Sequence, residues 1–471
     1  MKELRIFLAY LLAANPAYAL VTENSRWEVR TTATAGNLNG CAYDPFYGET
    51  DGTQQNEHAY HATDLRIGSA TTQVGSLTVP FLSSHTGNAL HVTAGTGFTQ
   101  GWHTIKYVNV EGTATLNSPA GSLGSTGGTG RVGGACSLAS TLDDDMFEAV
   151  NSSNVVWINS GTYTLGEAVA IATDATNLLP VDIIGYGKVR GDKPRGGDLP
   201  VLATGANGLD SQGAGFRWRN MSFTGTASAV ATMGTISKHE NLKSVNTSGT
   251  AGRTAITLSA ASILVGSELV STNGIGINFN SNFIKVYGNY IHHSTNCMQM
   301  GNLSNINISY NLFETCYSTA ILCGATFSNP QSIISYNTIF GSSAYAHGTG
   351  ITQGAGTPGN GDNMIFGNIL YGLKVGISIR NKTNNYYDYN NFFNNEVNIT
   401  TAAENGPNDT FVDPQFTDWV NSDFRIGSNL KGLGFPGAFG SSRSTGSLDI
   451  GAVHRAEPAA SGGTRGFLHG Q

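Results

Sequence analysis

The feature of this 471-residue chain that most limits its fold is a short phrase that recurs through its centre. The phrase is an aromatic or small residue, then asparagine, then mostly apolar positions, and it reads YGNYI, SYNLF, SYNTI, FGNIL and DYNNF in turn. Its asparagines are separated by 22, 26, 31 and 22 residues; they are Asn289, Asn311, Asn337, Asn368 and Asn390. A period of this length is typical of a repeat architecture.

A second phrase lies inside each repeat and reads CMQM, AILC, GITQ and GISI. Period-2 alternation puts Met298, Ile321, Ile351 and Ile377 on one face of a strand. Each repeat therefore contains at least two short strands, separated by turns rich in Gly, Asn and Ser. A unit this small cannot bury its own apolar face, so the units must stack on one another. The extra residues of the longest repeat are expected to form a loop at residues 353–362.

The recurring asparagines have a structural explanation. An asparagine at a sharp turn tolerates the left-handed conformation, and its amide can bond to the equivalent asparagine one coil away. Weaker copies of the phrase are found upstream at Asn220, Asn241 and Ser267. We therefore predict an asparagine ladder along the axis of the repeat, with a structural role and no ligand role.

Other segments carry a resemblance to a known superfamily. They are VVWINSGTYTL (155–165), VDIIGYG (181–187), FVDPQF (411–416), SDFRI (422–426) and LDIGA (448–452). With the repeat, they resemble the right-handed parallel β-helix proteins of the pectate-lyase-like superfamily over roughly residues 141–455. The resemblance implies the fold but no single function, because this coil carries lyases, hydrolases, epimerases, tailspikes and adhesins.

The chain is accordingly predicted to be all-β, a right-handed parallel β-helix solenoid with an N-terminal β-rich domain. TTQVGSLTVP, ALHVTAG and WHTIKYVNVEGTATL indicate strands of that first domain, residues 26–140, and the glycine-rich run 127–135 is interpreted as a linker. We expect residues 141–400 to form the β-helix and residues 401–471 to form a capping segment and flexible tail. The phrases WEVR, NLNG and TQGWH are similar to the front end of β-helix proteins in environmental bacteriophage and planctomycete-like sequences.

Residues 1–25 have the pattern of a secretory signal. Lys2 and Arg5 precede a short apolar run, and Ala17 and Ala19 form a cleavage motif, so cleavage is expected after Ala19. A retained N-terminal anchor is the alternative, although the run is too short to span a bilayer. We expect an extracellular or virion-surface location and no membrane span.

Charge and cysteine content exclude several partners. Only 12% of residues are charged, the net charge is −7, and no basic stripe is visible, so nucleic acid is not an expected ligand. The five cysteines show no CxxC spacing, so no metal site is predicted, and they serve as small buried residues or form one or two bridges. The expected partners are copies of the chain, a trimer being favoured, or other particle proteins, with a glycan as a further ligand.

Basic and hydroxylated side chains are available for chemistry in the repeat. The candidate catalytic residues are Arg380, Lys382, Asp388 and His347, with Lys374, His292 and His293 nearby, and Tyr386 and Tyr387 are candidates for stacking on a sugar. A polysaccharide lyase needs a base beside carboxylates that bind a cation.

Acidic residues are scarce by comparison. Between residues 270 and 395 they are Glu314, Asp362 and Asp388. This scarcity favours a non-enzymatic structural or adhesion protein, exposed on a virus particle as a fibre, spike or decoration or exposed on a cell. The alternative is a secreted polysaccharide lyase or another carbohydrate-active enzyme, and Ca²⁺ is an expected cofactor only in that alternative.

Overall fold

The structure is a computed structural model, and it describes residues 26–29, 60–86, 89–132, 155–165, 169–170, 180–187, 192, 194, 196–211, 213, 215–301, 303–324, 331–341, 348–353, 363–379, 385–400, 405–430, 432–435 and 449–452. By its internal contacts the chain divides into two units, Met1–Gly166 with Thr173–Val201, and Glu167–Ala172 with Leu202–Gln471. The predicted fold class is confirmed: a right-handed parallel β-helix with an N-terminal antiparallel sheet.

The first unit contains an antiparallel barrel and a parallel ladder. Its strands are β1 (Arg26–Val29), β2 (Tyr60–Ile67), β3 (Gln73–Gly75), β4 (Ala89–Ala94), β5 (Gly101–Val108), β6 (Ala114–Leu116), β7 (Thr126–Val132), β8 (Val155–Asn159), β9 (Thr162–Thr164) and β11 (Val181–Tyr186), with 3₁₀ turns Ser83–His85 and Gly196–Asp198. The barrel order is β2-β3-β6-β5-β4-β7, closed because β7 pairs with β2. Strands β1 and β11 both pair in parallel with β8.

The glycine-rich run that was interpreted as a linker is, over residues 127–132, part of barrel strand β7, so that interpretation is wrong there. Its glycines make room for the barrel core. A Cβ on Gly128 would lie 2.7 Å from the ring of Phe98, and one on Gly130 would lie 2.5 Å from Leu65. Glycine therefore serves close packing in this strand rather than flexibility.

The second unit is built from three parallel ladders, which we call faces A, B and C. Its strands are β10 (Val169–Ala170), β12 (Val201–Gly205), β13 (Leu209–Ser211), β14 (Phe216–Gly225), β15 (Ala229–Met233), β16 (Lys238–Asn246), β17 (Thr254–Leu258), β18 (Ile263–Val265), β19 (Glu268–Ser271), β20 (Ile275–Phe279), β21 (Lys285–Tyr287), β22 (Tyr290–Met300), β23 (Asn307–Ser309), β24 (Leu312–Cys323), β25 (Ile333–Ser335), β26 (Thr338–Phe340), β27 (Thr349–Gln353), β28 (Met364–Phe366), β29 (Ile369–Tyr371), β30 (Val375–Ile379), β31 (Tyr386–Asp388), β32 (Asn391–Phe393) and β33 (Val397–Thr400), with 3₁₀ turns Trp419–Asn421 and Ser428–Leu430.

Each face is a run of strands in which every strand pairs with its equivalent one coil later. Face A runs β16-β18-β21-β23-β25-β28-β31. Face B runs β14-β16-β19-β22-β24-β26-β29-β32. Face C runs β13-β15-β17-β20-β22-β24-β27-β30-β33. Strands β16, β22 and β24 each contribute to two faces, because they bend between them.

Alternate residues of every strand point inward and stack in rows. The predicted row Met298, Ile321, Ile351 and Ile377 is confirmed on face C, and all four residues are fully buried. Face B contributes a parallel inner row, which includes Ile291, Phe313, Ile339, Leu370 and Phe392. Stacking of equivalent apolar positions thus supplies the core that a single coil lacks.

The turn between faces A and B carries the recurring asparagines. In each coil the left-handed residue is the one before the asparagine, for example Tyr310 at φ 58° and Tyr336 at φ 54°. The prediction that the asparagines themselves adopt this conformation is therefore wrong for these coils. Asn220 and Asn241 do occupy the left-handed position. They therefore align with the residue before each ladder asparagine, and Met221 and Leu242 stand where later coils have the asparagine.

The side chains of the ladder residues are joined from coil to coil. The Nδ2 of each asparagine donates to the Oδ1 of the next: Asn289 to Asn311 at 2.9 Å, Asn311 to Asn337 at 3.1 Å, Asn337 to Asn368 at 3.0 Å, and Asn368 to Asn390 at 3.0 Å. Asp409 follows as the last acceptor, 2.8 Å from the backbone nitrogen of Asn390. The asparagine ladder thus joins five successive turns to one another along the axis.

The C-terminal segment folds back over the outer side of face B. Phe416, Trp419 and Phe424 contact Phe340 of β26, and Ile426, Leu430 and Ile450 bury Ile369 of β29. We call residues 413–430 the covering segment. It conceals the outer side of the later coils of face B and leaves that of the earlier coils open. Within the described residues, no helix is long and apolar enough to cross a membrane.

Candidate functional site

The outer side of face B, where the covering segment ends, carries a cluster of polar side chains. We call it the Glu268–Glu314 cluster; its members are Lys243, Glu268, Tyr290, His292, His293, Glu314 and Ser422. The strand register aligns Lys243, Glu268 and Tyr290 in one outer row and His292 and Glu314 in the next. Neighbouring strands are about 4.8 Å apart, so these side chains reach one another across coils.

Glu268 is held by two basic side chains. The Nζ of Lys243 lies 3.0 Å from both carboxylate oxygens, and the Nε2 of His292 lies 3.3 Å from Oε1. Hydrogen bonding to His292 and then the contacts with Lys243 lower the pKa of Glu268 to about 2, against the opposing effect of partial burial. Glu268 is therefore ionised throughout the neutral range, and its charge is balanced locally.

The two histidines are joined to each other and to Glu268. Because the carboxylate of Glu268 can only accept, His292 carries a proton on Nε2. The Nδ1 atoms of His292 and His293 are 2.7 Å apart, so one of the two imidazoles donates to the other. Burial, and then the neighbouring His292, lower the pKa of His293.

Tyr290 and His292 form a stacked pair that links the two glutamates. Their ring centroids are 4.2 Å apart and the rings are inclined by 18°. The hydroxyl of Tyr290 donates to Oε2 of Glu314, which also accepts from the hydroxyl of Ser422 at 3.2 Å. Burial and then the hydrogen bond to Glu314 raise the pKa of Tyr290 above its usual value.

Trp419 lies at the border of the cluster. Its ring centroid is 5.2 Å from that of Phe340, which is the register partner of Glu314 in the next coil. The side chain nevertheless stays 41% exposed, and the following Val420 is 72% exposed. The 3₁₀ turn Trp419–Asn421 ends at Ser422, whose left-handed backbone (φ 59°) turns its hydroxyl toward Glu314. An aromatic face and a polar cluster are thus adjacent on one open surface.

The residues singled out from the sequence lie elsewhere. Arg380, Lys382 and His347 fall outside the described residues, as does Asp362. Asp388 is buried on face A, where its Oδ1 accepts from the backbone nitrogens of Tyr389 and Asn408 at 2.9 and 2.8 Å. Both of its oxygens are used to hold the turn, since Oδ2 accepts from the Nδ2 of Asn408 at 2.7 Å.

The two candidate stacking tyrosines differ from each other. Tyr387 is in register with the buried Ile365, which places it in the inner row of face A. Tyr386 is 38% exposed; its hydroxyl is 3.3 Å from Oδ2 of Asp388, and its ring meets Phe435 edge-on. Burial, and then the nearby Asp388, raise the pKa of Tyr386 to about 12. Of these two tyrosines, Tyr386 is the more exposed.

Sequence reasoning missed Glu268 and Trp419. Glu268 lies just before the acid-poor stretch 270–395, yet Glu268, His292 and Glu314 are 24 and 22 residues apart, close to the repeat period. Alignment of the repeats in register would have brought them together. Within the described residues, no group of three or more His, Cys, Asp or Glu side chains is placed to hold a metal ion.

No protein-family model matches this sequence, and no curated protein matches it. Solved structures similar in fold include pectate lyase Pel9A, at 15% identity and a TM-score of 0.39, covering 66% of this chain and 90% of that one. The Dettilon tailspike protein matches at 14% identity and a TM-score of 0.31, covering 56% of each chain. An alginate lyase from Paenibacillus sp. matches at 12% identity and a TM-score of 0.34, covering 57% of this chain and 95% of that one.

Proposed function

We propose that this protein is a non-enzymatic glycan-binding adhesion protein, exposed on a virus particle or a cell surface, and that it binds sugar on face B. The observation that supports this most is the exposed ring of Trp419 beside the open side of the Glu268–Glu314 cluster. An aromatic face that stacks on a sugar ring, flanked by side chains that bond to its hydroxyls, is a common arrangement for a polar, uncharged ligand.

The protonation states of the cluster support a binding role over a catalytic one. The pKa of Glu268 is held at about 2, so this carboxylate does not act as a general acid near neutral pH. The pKa of Tyr290 is raised, so its hydroxyl is a poor base for an elimination reaction. Glu268 is thus stabilised as the carboxylate and Tyr290 as the neutral phenol, which are the forms that they already have near neutral pH.

A carbohydrate-active enzyme is the second candidate. It is favoured by one observation: Glu268 and Glu314 are bridged by a stacked imidazole and phenol on an open surface. An enzyme of this kind would release product from a polysaccharide that it binds. Turnover therefore separates the two candidates.

The location rests on two further observations. Cys297 and Cys316, in adjacent coils, form a disulfide bond, which is typical of proteins that mature outside a reducing cytosol. The signal-like pattern before Ala19 agrees with export. N-terminal peptide masses from particle and medium fractions would separate a retained anchor on a particle from a processed secreted chain.

We also propose that the chain associates with copies of itself through face C. The outer row of that face is free of charged residues from β15 to β33; its members are Thr232, Thr257, Asn278, Gln299, Leu322, Thr352, Ser378 and Thr400. In a chain with a net charge of −7, such a face is where copies can meet without like-charge repulsion. A side-by-side trimer is the assembly we expect.

The glycan-binding proposal is tested with the purified full chain on a glycan array, followed by calorimetry on the hits. Trp419→Ala should weaken binding at least tenfold, whereas replacement of Tyr107, a more exposed aromatic in the barrel, by alanine should leave it unchanged. The same glycans are incubated with the protein and assayed for new reducing ends and unsaturated products. Turnover that is lost in Glu314→Gln would replace the adhesion proposal with the enzymatic one.

A further inference from the structure

The charges around the Glu268–Glu314 cluster are unequally distributed. The two cations of the described surface there are already paired: Lys243 with both oxygens of Glu268, and Arg425 with Asp423, its Nε lying 2.8 Å from Oδ1. Among the described residues, the hydrogen-bond donors to Glu314 are two hydroxyls. The covering segment adds Asp418, next to Trp419, and Asp413, which lies beside Tyr371 two coils along from Glu314. The surface that a ligand would meet is therefore acidic.

The carboxylate of Glu314 leaves one acceptor atom open. Oε2 of Glu314 accepts from Tyr290 and Ser422, and its Oε1 has no protein partner among the residues that the structure describes. This open acceptor near the ring of Trp419 suits a ligand that brings hydroxyl donors. It does not suit a carboxylate, which can only accept.

We propose, resting on the glycan-binding function above, that this site selects an uncharged glycan and excludes polymers of uronic acids. A polyuronate would bring one negative charge per sugar toward Glu314 and Asp418, with both nearby cations already committed. A neutral hexose or pentose chain stacks on Trp419 and donates hydroxyl protons to Glu314.

The test is calorimetry with two sets of oligosaccharides: neutral ones (gluco-, xylo-, galacto- and manno-oligosaccharides) and acidic ones (oligogalacturonate and oligoalginate). At low ionic strength at least one neutral set should bind, with Trp419→Ala weakening it tenfold or more, and neither acidic set should bind measurably. Raising the salt concentration should leave the neutral affinity within twofold, because no charged group of the ligand is screened.

A double variant tests whether negative charge is what excludes the uronic-acid polymers. In Asp413→Asn/Asp418→Asn the side chains keep their shape and an acceptor oxygen, so neutral binding should stay within twofold. Weak binding of oligogalacturonate should appear at low salt. If the wild-type protein binds the acidic set as tightly as the neutral one, the selectivity is overturned while glycan binding stands. If it binds neither set, the glycan-binding function and the selectivity are both overturned.

Discussion

The side-chain amide of Asn311 donates to the Oδ1 of Asn337, at 3.1 Å, across 26 residues of sequence and one coil of the solenoid. Oδ1 of Asn337 also accepts from the backbone nitrogen of Asn311 at 3.0 Å, and its Nδ2 donates to the carbonyl oxygen of Ile308 at 2.9 Å. Asn337 is fully buried, so each of these partners is cut off from water.

Asn337→Ala should lower the free energy of unfolding by about 2–4 kcal/mol, since it leaves several buried polar groups without partners. Chemical denaturation of the variant and wild type measures the difference. The matched control is Asn273→Ala, an exposed asparagine whose Nδ2 makes one long contact of 3.4 Å with Gly249. A loss in Asn337→Ala no larger than in the control would contradict a stabilising ladder.

The repeat was predictable from the sequence because the same residue types recur at the same place in each coil. The strand phrases located faces B and C, and the asparagines located the turn between faces A and B. The exact register was not predictable upstream, since Asn220 and Asn241 hold the position before the ladder and the sequence gives no sign of the one-residue shift.

The candidate site was less accessible to sequence reasoning. Half of it follows from the repeat, because Glu268, His292 and Glu314 come together when coils are stacked in register. The other half does not: the contact of Ser422 with Glu314 spans 108 residues and has no local pattern. The same holds for Trp419, whose place on Phe340 depends on how the covering segment folds back.

The disulfide bond between Cys297 and Cys316 should add stability by restraining the unfolded chain. Cys297→Ala/Cys316→Ala is expected to lower the free energy of unfolding by about 3 kcal/mol, as for a closed loop of roughly twenty residues. Cys323→Ala, which removes a buried free thiol, should keep the sensitivity of the wild type to reductant. If reductant leaves the wild-type free energy of unfolding unchanged, the disulfide bond does not stabilise the fold.

Asp409, at the end of the asparagine ladder, should make stability depend on pH. Burial raises its pKa from 3.8 to about 6, despite hydrogen bonds from Asn390 and Gly406. A raised carboxyl pKa means that the folded state holds the proton more tightly. The contribution of Asp409 to the free energy of unfolding is therefore complete below pH 3.8 and is lost as the pH rises through about 6.

Asp409→Asn removes this titration and keeps the side-chain shape. Relative to wild type, the variant should gain roughly 2–3 kcal/mol in free energy of unfolding between pH 3.5 and pH 8. Urea denaturation at the two pH values measures the change, and titrating groups that do not interact with Asp409 cancel in the comparison. If the free energies of unfolding of the two proteins vary in parallel with pH, Asp409 is not the source of the pH dependence.

Self-association through face C should be sensitive to one added charge. Gln299 lies in the middle of the uncharged outer row, between Asn278 and Leu322. Gln299→Lys should convert a trimer into monomers, because each interface would gain unpaired buried charges. Light scattering coupled to size-exclusion chromatography reports the mass. A wild-type protein that elutes as a monomer at high concentration would refute the assembly.

Hydrogen–deuterium exchange with and without a bound neutral oligosaccharide tests the central claim most directly, because it locates the ligand without altering the protein. Binding on face B predicts slower exchange in peptides covering residues 417–424 and 290–294, and unchanged exchange in the barrel strands Tyr60–Ile67 and Thr126–Val132. Protection confined to the barrel, with none around Trp419 and Tyr290, would contradict the account and move the glycan site to the other unit.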